Sequence, residues 1–224
     1  MKIKNYIKSN IFKILAESYK WRNRNLLEAN NFKSPKLSTS KIITSNKYSI
    51  LIGLIISLFV KNLFSENITT FIMTSLSIFI GLFISILILI FDKFLGHNEN
   101  YKRNLAEKNK DPDLKANFIR TRNFTRRFVF VLLEALIIAF TTILLLLITL
   151  LFNDLFLQNL LDCRFTYYKY IGFENICLFL QNCLLIITKT IIATLMIRFC
   201  VFLFFLFGAL GEYMKGVLYG KVNT

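Results

Sequence analysis

Four long apolar stretches alternate with polar, cation-rich segments along this chain. They cover residues 48–64, 69–95, 128–152 and 176–210. A helix that crosses the hydrocarbon core of a bilayer needs roughly 20 apolar residues, and stretches of this kind are typical of such helices. The pattern therefore predicts an all-α protein in which residues 48–224 form a bundle of four transmembrane helices.

The segment before the first span, residues 1–47, predicts a basic amphipathic helix followed by a linker. Lysines occupy the face of this helix that its apolar residues leave free. Two positions for the helix remain open: in the headgroup region on the cytoplasmic side of the membrane, or packed on the inner ends of the protein's own spans. The apolar residues recur at three- and four-residue spacing and are Ile3, Ile7, Ile11, Ile14, Leu15 and Tyr19.

A helix start is encoded at Asp111-Pro112-Asp113, which combines a capping carboxylate, a proline for the first helical position and an acid in the first turn. Neither glycine nor proline follows before residue 152. We therefore expect one helix that begins in the cytoplasm and continues into the third span. A similar cytoplasmic extension is expected for the fourth helix.

The charge distribution predicts the orientation. The 224 residues are 55% hydrophobic with a net charge of +15, and the mean hydropathy is +0.54. Cations are concentrated in residues 1–47 and 96–127, whereas residues 153–175 carry only Arg164 and Lys169. The positive-inside rule then predicts an inner-membrane protein with both termini and loop 96–127 in the cytoplasm and loop 153–175 in the periplasm. Because this rule accounts for most of the charge, we do not expect direct nucleic-acid binding.

Small residues recur at every fourth position on the first two spans, which lets helix backbones approach closely. We expect the two strips to face each other in a tight hairpin, with contact between subunits as the alternative. The strips are Ser49, Gly53 and Ser57 on the first span and Ser77, Gly81 and Ser85 on the second.

Ionisable residues lie inside the last two spans, where a charge is costly unless it is paired or faces water. We predict an ion pair between Glu134 of the third span and Arg198 of the fourth. Lys189, with Gln181 and Asn182 in the same span, is predicted to mark an oligomer contact or a pore. The alternative is that Lys189 reaches the outer membrane boundary and Arg198 reaches inner-leaflet phosphates.

Two further sets of residues are candidates for chemistry outside the bilayer. Cys163 lies in the predicted periplasmic loop and Cys177 lies just after it, and the two could form a disulfide, with free thiols as the alternative. Four arginines precede the third span and could hold an anionic headgroup, a nucleotide or an acidic protein, with plain solvated charge as the alternative. These arginines are Arg120, Arg122, Arg126 and Arg127.

The chain lacks the usual inventory of an enzyme. His97 is its one histidine, no glycine-rich phosphate loop occurs, and Glu134 is the one acid well inside a span. Metal sites and acid–base chemistry need clusters of such groups. We therefore expect no enzymatic activity, no metal and no cofactor.

Two segments carry a resemblance to known proteins. ILAESYKWRNRNLLEANN (residues 14–31), followed by a hairpin containing SIFIGLFIS (residues 77–85), resembles the SLATT-type membrane effectors of bacterial conflict systems, in which an amphipathic helix precedes two spans. In its size, four spans and short soluble parts, the chain also resembles the membrane component of the Kiwa anti-phage system. That second resemblance implies a response to infection at the membrane and a cytosolic DNA-binding partner.

Three functions are consistent with these features. The first is a non-enzymatic sensor or effector in the bacterial inner membrane, acting in an anti-phage defence module as a homo-oligomer with a cytosolic partner. The second is a gated pore lined by polar residues of the fourth span. The third is a scaffold subunit of a larger membrane complex.

Overall fold

The computed structural model describes residues 2–23, 43–60, 65–106, 112–152 and 173–219. No strand occurs in these ranges, so the all-α prediction is confirmed for the described part of the chain. The helices, in chain order, are α1 (Lys2–Arg22), α2 (Lys47–Phe59), α3 (Glu66–Ala106), α4 (Pro112–Leu151) and α5 (Phe173–Tyr219).

Three of these helices are long and apolar enough to cross a membrane. Their apolar parts are Glu66–Gly96 in α3, Phe118–Leu151 in α4 and Cys183–Gly211 in α5. They correspond to the second, third and fourth predicted spans. Length and composition thus identify three candidate transmembrane helices.

The first predicted span, residues 48–64, is shorter as a helix. α2 has 13 residues and is followed by Val60 in an extended conformation (φ −94°, ψ 105°). At about 1.5 Å per residue, α2 covers about 20 Å, which is less than the hydrocarbon core of roughly 30 Å. Residues 61–64 lie outside the described ranges, so a fourth span stays a prediction.

Helix α3 and helix α4 both extend into the segment 96–127 that connects the second and third predicted spans. α3 continues to Ala106, because no proline or further glycine follows Gly96 to interrupt it. α4 begins at Pro112, where a proline loses no intrahelical hydrogen bond. The predicted helix start at this proline is confirmed, and the segment is helical over most of its length.

Contacts between the helices group into two units. Unit 1 comprises Met1–Thr39, Ile80–Ile137 and Phe202–Thr224, and unit 2 comprises Ser40–Phe79 and Ile138–Val201. α1 therefore lies in unit 1 and α2 in unit 2, while α3, α4 and α5 contribute residues to both. Large apolar side chains are fully buried in each: Trp21, Val131 and Leu132 in unit 1, and Leu146 and Ile192 in unit 2.

In unit 2, α2 packs closely on α5. The hydroxyl oxygens of Ser57 and Thr190 are 2.9 Å apart, within hydrogen-bond distance. A Cβ placed on Gly53 would lie 2.5 Å from Oγ1 of Thr194 and 3.0 Å from its backbone nitrogen. The small residues of α2 therefore give α5 a close approach that a larger side chain would block.

The small-residue strip of α3 does not take part in this contact. Ser77, Gly81 and Ser85 are exposed, and a Cβ on Gly81 would meet nothing within 4 Å. The two serine hydroxyls donate to carbonyls one turn earlier in α3. The prediction that the strips of the first two spans face each other is therefore wrong, because α5 offers α2 a face of threonines with matching hydroxyls.

We expect Gly53→Ala to destabilise the protein by about 1–3 kcal/mol, because the added methyl group overpacks the contact with α5. Gly81→Ala makes the same chemical change in open space and is the matched control. It should be neutral or stabilising by up to about 1 kcal/mol, since alanine favours helix over glycine. Thermal unfolding in detergent, followed by circular dichroism, measures both; equal stability of the two variants would contradict the close packing at Gly53.

Candidate functional site: a buried carboxylate bound by the N-terminal helix

The C-terminal half of α1 is enclosed by protein. No residue from Ile14 to Arg22 is exposed. Ala16 and Ser18 are both buried, although at about 100° per residue they lie on nearly opposite sides of the helix. A helix that lay on a surface would bury one stripe only. Of the two positions left open by the sequence, this half of α1 takes the one packed against the protein.

Glu134 of α4 faces α1 and is 3% exposed. Its Oε2 accepts a hydrogen bond of 2.6 Å from the Ser18 hydroxyl. The same oxygen lies 3.3 Å from Nη1 of Arg22, which makes a salt bridge. Ser18 and Arg22 are four residues apart and so share one face of α1. α1 thus supplies both a neutral donor and a positive charge to a carboxylate that would be costly to bury alone.

Arg22 also contacts α5. Its guanidinium carbon lies 4.8 Å from the centroid of the Phe202 ring, which is a cation–π distance. The Arg22 side chain is 19% exposed, so its stem is packed while part of the group remains accessible. One side chain therefore connects α1 to both α4 and α5.

A second polar set surrounds Trp21, which is 1% exposed. Its indole nitrogen donates to Oε2 of Glu17 at 3.2 Å. Nζ of Lys20 lies 3.7 Å from that carboxylate oxygen and 5.4 Å from the centroid of the Trp21 ring. The enclosed segment and its contact on α4 therefore carry two cations, Lys20 and Arg22, and two acids, Glu17 and Glu134.

The predicted ion pair between Glu134 and Arg198 stays a prediction, since the first residue belongs to unit 1 and the second to unit 2. Sequence reasoning indicated that Glu134 needs a partner but missed Ser18 and Arg22. A signal for them was present, because a hydroxyl and a guanidinium four residues apart on one helix can serve a single acceptor.

The four arginines of α4 differ in their surroundings. The guanidinium of Arg122 lies 6.0 Å from the ring centroid of Phe118, and its Nε is buried without a hydrogen-bond partner in the described part of the chain. Arg127 lies 5.0 Å from the ring centroid of Phe205. Arg120 is half-buried and Arg126 exposed. An anion site at these four residues stays a prediction.

Lys189 of α5 lies inside unit 2 and is 2% exposed. Its side chain is therefore enclosed by its own chain. The side chains of Gln181 and Asn182 lie outside the described part. A role for these three residues in oligomer contact or in a pore stays a prediction.

Cys163 and the side chain of Cys177 lie outside the described part of the chain. The disulfide between them therefore stays a prediction. Cys183 and Cys200 are free thiols. The side chain of His97 is likewise outside it. Among the residues described, no group of three or more His, Cys, Asp or Glu side chains is close enough to hold a metal ion.

Comparisons of the chain with protein-family models, with curated proteins and with solved structures find no match. The chain's most specific arrangement is the contact of Glu134 with Ser18 and Arg22, which joins a basic helix to a helix of membrane-spanning length.

We expect Arg22→Ala to undock α1. Removing one partner of a buried ion pair costs about 3–5 kcal/mol, and the Phe202 contact is lost as well. Trp21 is the single tryptophan of the chain, so its fluorescence emission should shift to longer wavelength and its quenching by acrylamide should increase.

Ser18→Ala removes one hydrogen bond to a charged group, worth about 1.5–3 kcal/mol, and should therefore change the Trp21 fluorescence less than Arg22→Ala does. Lys13→Ala, at an exposed position of α1, is the control; unchanged fluorescence in Arg22→Ala would contradict the docking.

A charge swap identifies the cation that neutralises Glu134. Glu134→Arg alone places a second positive charge against Arg22 and should abolish a monodisperse size-exclusion peak in detergent. Adding Arg22→Glu restores opposite charges and should recover the peak together with the Trp21 emission. Adding Arg198→Glu instead should recover neither. Recovery with Arg198→Glu and not with Arg22→Glu would establish the pair predicted from the sequence.

Proposed function

We propose that this chain is a non-enzymatic protein of the bacterial inner membrane that acts as the sensor or effector of an anti-phage defence module, as a homo-oligomer with a cytosolic partner. One observation carries the proposal. Glu134, in a helix of membrane-spanning length, is bound by Ser18 and Arg22 of a separate basic helix. A change in one helix therefore has a direct physical consequence for the other.

This arrangement suits a signalling role. A buried ion pair adds little net stability, because the cost of desolvation offsets the attraction, yet losing one partner is strongly destabilising. The docked position of α1 is therefore sharply defined. A movement of α4 that displaces Glu134 would remove the acceptor for Ser18 and Arg22 together, and α1 would respond to an event in the membrane.

The placement in a defence module rests on the resemblance of residues 14–31 and 77–85 to SLATT-type effectors and of the whole chain to the Kiwa membrane component. The docked half of α1 falls in the first of these segments. The inner membrane and the cytoplasmic position of the termini rest on the distribution of cations. The second resemblance is also the reason for proposing a cytosolic partner.

Exposure of α3 supports assembly into a homo-oligomer. In the apolar part of α3, 11% of the most apolar window is buried, compared with 44% in α4. Apolar surface of this extent can face lipid or a second copy of the chain.

A gated pore is the second candidate. Lys189 is a cation buried in the span-length helix α5, and ionisable residues in such helices often mark ion pathways. Ion-flux recording from liposomes that contain the purified chain tests this candidate. Flux that Lys189→Met abolishes would support the pore, and no flux under any lipid composition or voltage would remove it.

Phage challenge tests the defence role. Bacteria that express the chain with its native neighbouring genes should survive infection better than cells without them. Arg22→Ala should abolish this protection at an equal amount of protein in the membrane, because it breaks the contact of α1 with Glu134. Ser77→Ala, on the exposed face of α3, should protect as the wild type does. Absence of protection by the wild type against a broad phage panel would contradict the defence role.

A further inference from the structure

We infer that α1 has a second partner, the anionic lipid headgroups of the surrounding membrane, and that headgroup phosphates compete with the Glu134 carboxylate for Arg22. This deepens the proposed function by naming a partner for α1. It rests on the docking of α1 and does not depend on a role in defence.

The first observation is that α1 has two different halves. Ile11, Phe12 and Lys13 are exposed, although two of them are large and apolar. The residues from Ile14 to Arg22 that follow are enclosed. The protein therefore uses the C-terminal half of α1 for its own packing and leaves apolar side chains next to it uncovered.

The second observation is charge. α1 contains six cations and one acid, and four of the cations precede the enclosed half. Apolar side chains among lysines are the combination that binds an anionic bilayer surface: the apolar groups enter the headgroup boundary while the cations attract lipid phosphates. The three helices of membrane-spanning length in the same chain would bring α1 to such a surface. An acidic protein would match the charge but offers no reason for exposed Ile11 and Phe12.

The third observation concerns Arg22, which both partners would share. Its side chain is accessible in part, and its contact with Oε2 of Glu134 measures 3.3 Å. Charge-assisted N–H···O bonds are typically about 2.7–2.9 Å long. A lipid phosphate can take two guanidinium N–H groups at that shorter distance, so it is a strong competitor for this arginine. Once α1 withdraws, Glu134 becomes accessible to water.

The test uses the full chain in nanodiscs, with Trp21 as the reporter. The lipid is varied from pure phosphatidylcholine to mixtures rich in phosphatidylglycerol. We expect the acrylamide quenching of Trp21 to rise and its emission to shift to longer wavelength as the anionic fraction increases, and high salt to reverse both changes. Inorganic phosphate added to phosphatidylcholine nanodiscs should have no effect.

Two variants separate lipid binding from loss of folding. Glu134→Gln removes the competing charge, so α1 should leave at a lower phosphatidylglycerol fraction. Ile11→Ser with Lys13→Gln weakens the lipid-facing half alone, so more phosphatidylglycerol should be needed, while the emission in phosphatidylcholine stays that of the wild type. Ser77→Ala, on the exposed face of α3, is the matched control.

Two results would overturn the inference. One is Trp21 emission that is independent of phosphatidylglycerol in both the wild type and Glu134→Gln. The other is the same response to inorganic phosphate as to phosphatidylglycerol, which would identify a site for free anions. A lipid-insensitive protein that still protects against phage would refute this inference alone, and a lipid-responsive protein without protection would refute the defence role alone.

Discussion

A carboxylate buried in a helix of membrane-spanning length has to be neutralised, and in this protein that requirement fixes α1. Backbone N–H groups in the middle of α4 are already used by the helix, so they cannot serve Glu134. The acceptor is satisfied by Ser18 and Arg22. A slip of one residue along α1 would rotate both donors by about 100° away from it. The contact therefore defines the register and rotation of α1 more than it contributes net stability.

The docked half of α1 is buried more completely than its amphipathic composition predicts. Its composition is that of a helix with one apolar stripe, yet burial extends to nearly opposite sides, at Ala16 and Ser18. Lys20 and Glu17 are drawn into the enclosed region with Arg22, which costs hydration that a helix in water would keep. Such conflicts between local composition and tertiary position are typical of functional sites. Here the docked half of α1 combines apolar packing at Ala16 and Trp21 with the polar contacts of Ser18 and Arg22 to Glu134.

The parts of this structure that sequence reasoning predicted are those that depend on local properties. Hydropathy indicates the apolar parts of α3, α4 and α5, and a proline at the first helical position marks the start of α4 at Pro112. Which helices and side chains contact each other depends on the tertiary structure and not on local properties. The spacing of Ser49, Gly53 and Ser57 predicts that some helix comes close, but it does not distinguish α3 from α5. For Glu134, the sequence shows that the carboxylate needs a partner. A partner predicted from depth in the membrane has to lie within a span, whereas Ser18 and Arg22 lie outside the predicted spans.

The helices of this protein are held together in two physically distinct ways, one neutral and one ionic. Thr142, Thr149 and Thr194 are buried, but their hydroxyls donate to carbonyls of their own helices and so require no neighbour. Between α2 and α5 the contact depends on the absence of a side chain at Gly53 and on the neutral hydroxyls of Ser57 and Thr190, and neither feature carries a charge. An ionised carboxylate has no such intrahelical solution and must draw a donor from another segment. Of the two kinds of contact, the one at Glu134 is held by opposite charges, so it is the one that a competing charge or a change of protonation would act on.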